Sequence, residues 1–215
     1  MDMPHFNQEI LHFKDVSIHL MNFEPYDPSE FLDQLTDHEK ERYFSFTSNK
    51  RKMEYVATRI LRHRIFGFEH IHYDEHGAPY IENEGFISIS HAEGIVGIAL
   101  CKEFKIGLDL ETIRDKAVIL SPKFITENES TFLDTSNIVT MTKAWSAKEV
   151  LYKLAGRKEL VFKRDLLLTS ASKEHWKGQV VNTNETLNVD LRIFTHGDTI
   201  ISFNEKEIER LQYDI

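Results

Sequence analysis

Cysteine is almost missing from this chain: Cys101 stands alone among 215 residues. A single thiol builds no disulfide framework and no cysteine-based metal cage, and it suits a reducing cytoplasm. In that compartment the Asn-x-Ser/Thr triplets at Asn128 and Asn184 never meet the glycosylation machinery. Long apolar runs are missing too. Met1 to Phe23 alternates apolar with polar residues, so neither a signal peptide nor a membrane span is expected. Low-complexity tracts, flexible linkers and internal repeats are absent. So are the Gly-x-Ser-x-Gly elbow, the phosphate loop and the dinucleotide fingerprint, which removes three common chemistries. A basic excess is also lacking: the net charge of −9 argues against a general nucleic-acid binder. With 41% hydrophobic and 28% charged residues, there is still ample apolar material for a globular core. A monomer without membrane or nucleic-acid partners is expected.

The acidic balance hides a local reversal. Between Asn49 and Arg64 the chain carries Lys50, Arg51, Lys52, Arg59, Arg62 and Arg64 against one acid, Glu54. A second basic stretch holds Arg157, Lys158, Lys163 and Arg164. Each reads as a solvated surface or, more sharply, as a site for a polyanion.

The pattern of elements is α+β. Alternation marks a strand over Asp15–Phe23, and Pro28-Ser29 opens a helical stretch. Thr36-Asp37-His38-Glu39 is a capping box heading a helix through Phe46. Ser48 or Asn49 caps a longer helix with Met53, Val56, Ile60, Leu61 and Ile65 at helical spacing and Gly67 as its stop. After a turn at His76-Gly77-Ala78-Pro79, strands are expected over Ile87–His91, Ile95–Cys101 and Phe104–Leu110. Thr126 to Glu129 is a second capping box. An amphipathic helix follows over Val139–Leu154, and from Asp165 onward the chain reads as hairpins.

Asp109 and Glu111 close an apolar strand at positions i and i+2, so both project to one face. Carboxylates held side by side repel unless a cation lies between them, and an all-oxygen set favours a hard ion such as magnesium. On the following helix Trp145, Glu149 and Lys153 recur every four residues and share a face. That spacing suits an ordinary intrahelical ion pair, or a third carboxylate beside a phosphate contact. Ser90-His91 ends a strand with side chains on opposite faces, which is not a nucleophile–base dyad. His70, His72 and His76 sit in a loop without a regular element to fix metal geometry, and read as surface histidines.

In this order, Gly107-x-Asp109-x-Glu111 and Trp145-Ser-Ala-Lys148-Glu149-x-x-x-Lys153 resemble the signatures of the surfactin-type 4′-phosphopantetheinyl transferases. Ser90-His91 is similar to that family's serine-histidine motif. Leu35 through Glu39 and Arg42, followed by Arg51, is similar to its N-terminal basic region. The likeness runs from Leu35 to Gly156. It implies two similar subdomains, residues 1–103 and 104–215, related by a pseudo-two-fold with coenzyme A between them. It implies Mg2+ held by Asp109, Glu111 and Glu149. Lys153 would contact the phosphates, and Arg42, Arg51, Ser90, His91 and Lys148 would belong to the coenzyme A site. The partner would be an apo acyl or peptidyl carrier protein, whose serine proton passes to Glu149 directly or through a metal-bound water. Two departures stand out: Ala78 where the family carries a basic residue, and Gly156-Arg157-Lys158-Glu159 without a second glycine. Two other readings remain open, a non-catalytic coenzyme A-binding relative and another Mg2+-dependent nucleotide phosphotransferase or hydrolase.

Overall fold

A computed structural model describes residues 6–67, 69–156, 159–182 and 185–212. Arg157, Lys158 and Asn184 lie outside the described residues. The chain forms a mixed α+β protein with two antiparallel sheets. The first contains β1 (Phe6–His12), β2 (Val16–Phe23), β3 (His72–Tyr73), β4 (Pro79–Tyr80), β5 (Phe86–Ala92) and β6 (Ile95–Cys101), in the order β1-β2-β6-β5-β4-β3. The second contains β7 (Leu108–Thr112), β8 (Leu166–Ser172), β9 (His175–Val181), β10 (Glu185–His196) and β11 (Thr199–Asn204), in the order β7-β11-β10-β9-β8, with β12 (Glu209–Gln212) paired to β10. Helices α1 (Asp37–Ser45) and α2 (Asn49–Phe66) accompany the first sheet. Helices α3 (Lys116–Phe124), α4 (Ile138–Leu154) and α5 (Phe162–Asp165) accompany the second. Among the described residues no helix is long and apolar enough to cross a membrane.

The expected starts and stops hold where a cap fixes them. Thr36 and Glu39 form a reciprocal capping box at α1, Ser48 accepts from the Arg51 amide at α2, and Gly67 ends α2 at a φ of 63°. The stretch opened by Pro28-Ser29 is helical as expected, a 3-10 helix through Gln34 capped by Asp27. The Thr126–Glu129 capping box closes over a 3-10 turn at Glu129–Thr131, and the Glu129 carboxylate also accepts from the Leu168 amide and pairs with Lys148. One expectation is corrected: the third strand starts at Leu108 rather than Phe104. Residues 104–107 cross between the sheets, and the Asn204 side chain replaces a strand partner there: it accepts from the Gly107 amide and donates to the Lys105 carbonyl.

α1 is pinned to α2 by charge. Glu39 is buried, with Arg59 Nε at 2.9 Å and an Arg62 amino nitrogen at 3.3 Å. Two members of the basic run are therefore interior and not part of any surface site. A hydrophobic cluster spans both sheets: Val16, Leu20 and Ala99 from the first pack with Leu108, Leu110, Ile201 and Phe203 from the second. Gly97 on β6 permits this approach. A Cβ there would lie 2.9 Å from Leu110 Cδ1 and 3.1 Å from Leu20 Cδ2. Valine suits a strand at this position on propensity, so Gly97→Val isolates the steric effect. It is expected to lower stability by about 1–3 kcal/mol in urea denaturation, and an unchanged midpoint would show that the sheets do not meet there.

Candidate active site

The two sheets meet where β5 runs beside β7 without sharing a backbone ladder. Serine hydroxyls take its place: Ser88 Oγ accepts from the Leu108 amide at 2.9 Å and Ser90 Oγ from the Leu110 amide at 3.0 Å. Further along, Thr112 Oγ1 accepts from the Glu93 amide. Alternation along β5 then sends His91 the other way, toward α2, so Ser90 and His91 serve opposite faces.

On β7 the same alternation turns Leu108 and Leu110 into the shared core and Asp109 and Glu111 toward α4. Asp109 is buried. Its Oδ1 accepts from Ser90 Oγ at 3.2 Å and from Lys153 Nζ at 3.0 Å, while Lys153 also donates to the Leu108 carbonyl at 2.5 Å. Oδ2 has no hydrogen-bond partner among the described residues. Burial and the neighbouring Asp109 push the Glu111 carboxyl above its usual range; Arg114 and a hydrogen bond from the Trp145 indole act against that. Trp145 is itself fixed by stacking on Phe162, centroids 5.1 Å apart. Glu149 is half-buried on α4, one turn after Trp145 and one before Lys153.

Across the seam lies a basic group. The His91 Nε2 and an Arg51 amino nitrogen are in direct contact, and His91 Nδ1 lies 3.3 Å from the buried Glu54 carboxylate, which also pairs with Arg51 at 3.4 Å. Burial lowers the His91 imidazole to about 4, helped by the positive charges of Arg51, Lys153 and Lys50. His91 is thus a neutral ring among cations near pH 7. Arg42 joins the group from α1: its guanidinium and that of Arg51 both lie over the Phe46 ring, at 5.1 and 5.7 Å.

Asp109, Glu111, Ser90 and Lys153 therefore come together, Glu149 sits on the same helix face as Lys153, and Arg42, Arg51 and His91 form a neighbouring group. Lys148 does not join them. It is fully buried, with Nζ 2.8 Å from Glu129 and donating to the Phe124 carbonyl, so its assignment to the coenzyme A site is corrected to a structural pin holding α4. Ser90 is inside the seam and acts on Asp109 rather than at an open surface. His70, His72 and His76 are exposed, and His72 stacks on Tyr80.

Two contributors were missed by sequence reasoning. Glu54 appeared only as the lone acid of a basic run, though its place one helical turn from Arg51 was a signal. Lys105 lines a cleft of about 310 Å³ with Ala78, Ser88 and Lys153, and its amine donates to the Leu154 carbonyl. No sequence spacing connects residues 78 and 105; only the sheet topology does. A second cavity, of about 330 Å³, opens beside Glu111 with Ala117, Leu120, Phe124 and Trp145 as its apolar wall.

Among the described residues no three His, Cys, Asp or Glu side chains are gathered closely enough to hold a metal ion. Asp109 and Glu111 are adjacent, mutually repelling carboxylates, and Asp109 Oδ2 lacks a partner among the described residues, which offers two oxygen donors of the kind a hard cation takes. No protein-family model matches the chain, and no curated protein matches it either.

Two outcomes are expected. Lys148→Ala strands Glu129 in the core and should cost about 3–5 kcal/mol in chemical denaturation; a loss below 1 kcal/mol would show that Lys148 is not a pin. In an NMR titration the His91 ring should protonate near pH 4. The unfolded chain takes up that proton first, at the ordinary value of 6.5, so the stability His91 contributes above pH 6.5 is lost as pH falls toward 4. Titration of His91 at 6.5 would place it outside the cationic group.

Proposed function

We propose that this protein is a phosphopantetheinyl transferase of the surfactin type, moving 4′-phosphopantetheine from coenzyme A to a serine of an apo acyl or peptidyl carrier protein. The observation that carries the reading is the meeting of Asp109, Glu111 and Lys153 with the Arg42–Arg51–His91 group at one seam. The resemblance adds the expectation that residues 1–103 and 104–215 are two pseudo-symmetric subdomains of this fold, cytoplasmic and monomeric.

Coenzyme A is a polyanion with an apolar arm. A cationic group beside a carboxylate set, flanked by one cleft with lysines and one with an apolar wall, supports that ligand. Lys105 stands in the cleft that Ala78 also lines, and would supply the cation that position 78 lacks.

Asp109, Glu111 and Glu149 would hold Mg2+, which when bound neutralises charge on the pyrophosphate and polarises its β-phosphorus. The carrier serine oxygen attacks that phosphorus as the bond to the bridging oxygen breaks. Adenosine 3′,5′-bisphosphate departs with the bond's electron pair. Lys153 places positive charge at the leaving side, and Arg51 with neutral His91 orients the nucleotide phosphates. Glu149 takes the serine proton, directly or through a water. His91 at its lowered value is a neutral ring whose Nε2 accepts from Arg51, and a bound phosphate would draw its titration upward.

Incubation with coenzyme A, Mg2+ and several apo carriers should give carriers heavier by one phosphopantetheine on mass spectrometry. Chelation of the metal, Asp109→Ala and Glu149→Ala should each abolish the adduct while the protein stays folded. No adduct on any carrier sinks the reading, and full transfer by Asp109→Ala removes that residue from the site.

A further inference from the structure

Three buried polar atoms without partners occur on the interface that presents Asp109 to α4. Ser202 Oγ and Ser146 Oγ belong to residues with no exposed surface, and neither has a hydrogen-bond partner among the described residues; the third atom is Asp109 Oδ2. Ser202 is the direct cross-strand partner of Asp109 in the β7–β11 ladder, so the two side chains stand side by side on one face. That face lies under α4, which runs antiparallel to β7: Val150 packs where a Gly107 Cβ would be, Lys153 reaches Leu108, and Trp145 reaches Glu111. One helical turn back from Val150 is about 5.4 Å, close to the rise of two strand residues, which sets Ser146 at the level of Asp109 and Ser202.

A helical serine usually satisfies itself on the carbonyl four residues earlier, as Thr142 does on Ile138. Ser146 does not. Carboxylate oxygens only accept, whereas a water donates and accepts and needs two to four polar partners.

We propose that Ser146, Ser202 and Asp109 Oδ2 enclose one buried water, which makes the two serines positioning residues for the Asp109 carboxylate. Oδ1 is held by Ser90 and Lys153, and the water holds the other oxygen through one lone pair, leaving the second lone pair for a cation. The carboxylate plane is then set from both sides. The metal half of this inference rests on the reading above; the water does not.

Two measurements test it. A high-resolution crystal structure of the metal-free protein should show a water bonded to both Oγ atoms and Asp109 Oδ2. Serines turned onto main-chain carbonyls with no water would overturn the proposal. Separately, Mn2+ affinity is measured by calorimetry without coenzyme A or carrier. The Ser146→Ala/Ser202→Ala double variant should bind Mn2+ about tenfold more weakly, as loss of outer-shell support does. Ser202→Thr, which keeps the hydroxyl, should stay near wild type. Unchanged affinity in a folded double variant shows that the serines position nothing. Mn2+ binding with no water overturns this inference alone, whereas a wild-type protein that binds no Mn2+ takes the metal reading with it.

Discussion

The serine seam between β5 and β7 is the constraint on which the candidate site depends. Two sheets that shared a continuous ladder would leave no side chain at the join. Here Ser88 and Ser90 accept the β7 amides through their hydroxyls, so the join is made of side chains. Ser90 can then do two things at once: it satisfies the Leu110 amide and donates to Asp109. The register of the seam thereby fixes the carboxylate. A slip of one residue would send His91 into the seam and Ser90 toward α2, parting Asp109 from its donor and Arg51 from its neighbour. The shared cluster around Leu108, Leu110 and Phe203 resists that slip, and Gly97 lets the sheets come close enough for the cluster to form.

Charge inside the protein is arranged around that geometry. Burying an ion costs several kcal/mol unless its partner is well placed, about 3–5 kcal/mol being exposed when one partner is removed. Lys148 and Glu129 pair with no solvent exposure to speak of, and the same carboxylate accepts from Leu168 on β8. α4 is thereby tied to the second sheet by a bond with direction, which apolar packing alone does not provide. Glu149, next in sequence, and Lys153, a turn and a residue further, take their positions from that tie. In the first half Glu39 does comparable work between α1 and α2 through Arg59 and Arg62. That leaves Lys50 and Arg51 as the part of the basic run that faces His91.

Much of this was legible in the sequence where local chemistry decides the outcome. The capping boxes, the long helices ended at Gly67 and after Leu154, and the i, i+2 carboxylates depend on residues within one turn or one pleat of each other. The misreadings have a common physical origin in distant partners. Phe104 and Ile106 are as apolar as any strand, but the backbone there bonds to Asn204, about a hundred positions away, and so leaves the sheet. Lys148 sits in the same motif as Glu149 and Lys153. Its direction on the helix, about 100° round from Glu149 and about 140° from Lys153, turns it inward to Glu129. β1 and α3 escaped notice because an edge strand with a mixed burial pattern and a short helix with Pro122 in its last turn carry weak periodic signals.

Asp109 also belongs to a wider electrostatic pattern. In a protein of net charge −9, an oxygen-only cluster should repel any anionic ligand. Lys153 reverses that locally: bonded to Asp109 and felt by His91, it carries the positive charge of the second half toward the cations of the first. Lys153 occupies Oδ1 and leaves Oδ2 without a partner among the described residues, so a cation at Oδ2 would share the carboxylate with the lysine rather than displace it. The lysine is therefore best understood as the group that keeps a buried carboxylate tolerable when no other cation is near it. Lys153 reaches Asp109 from α4, where it stands four residues after Glu149 on the same helix face.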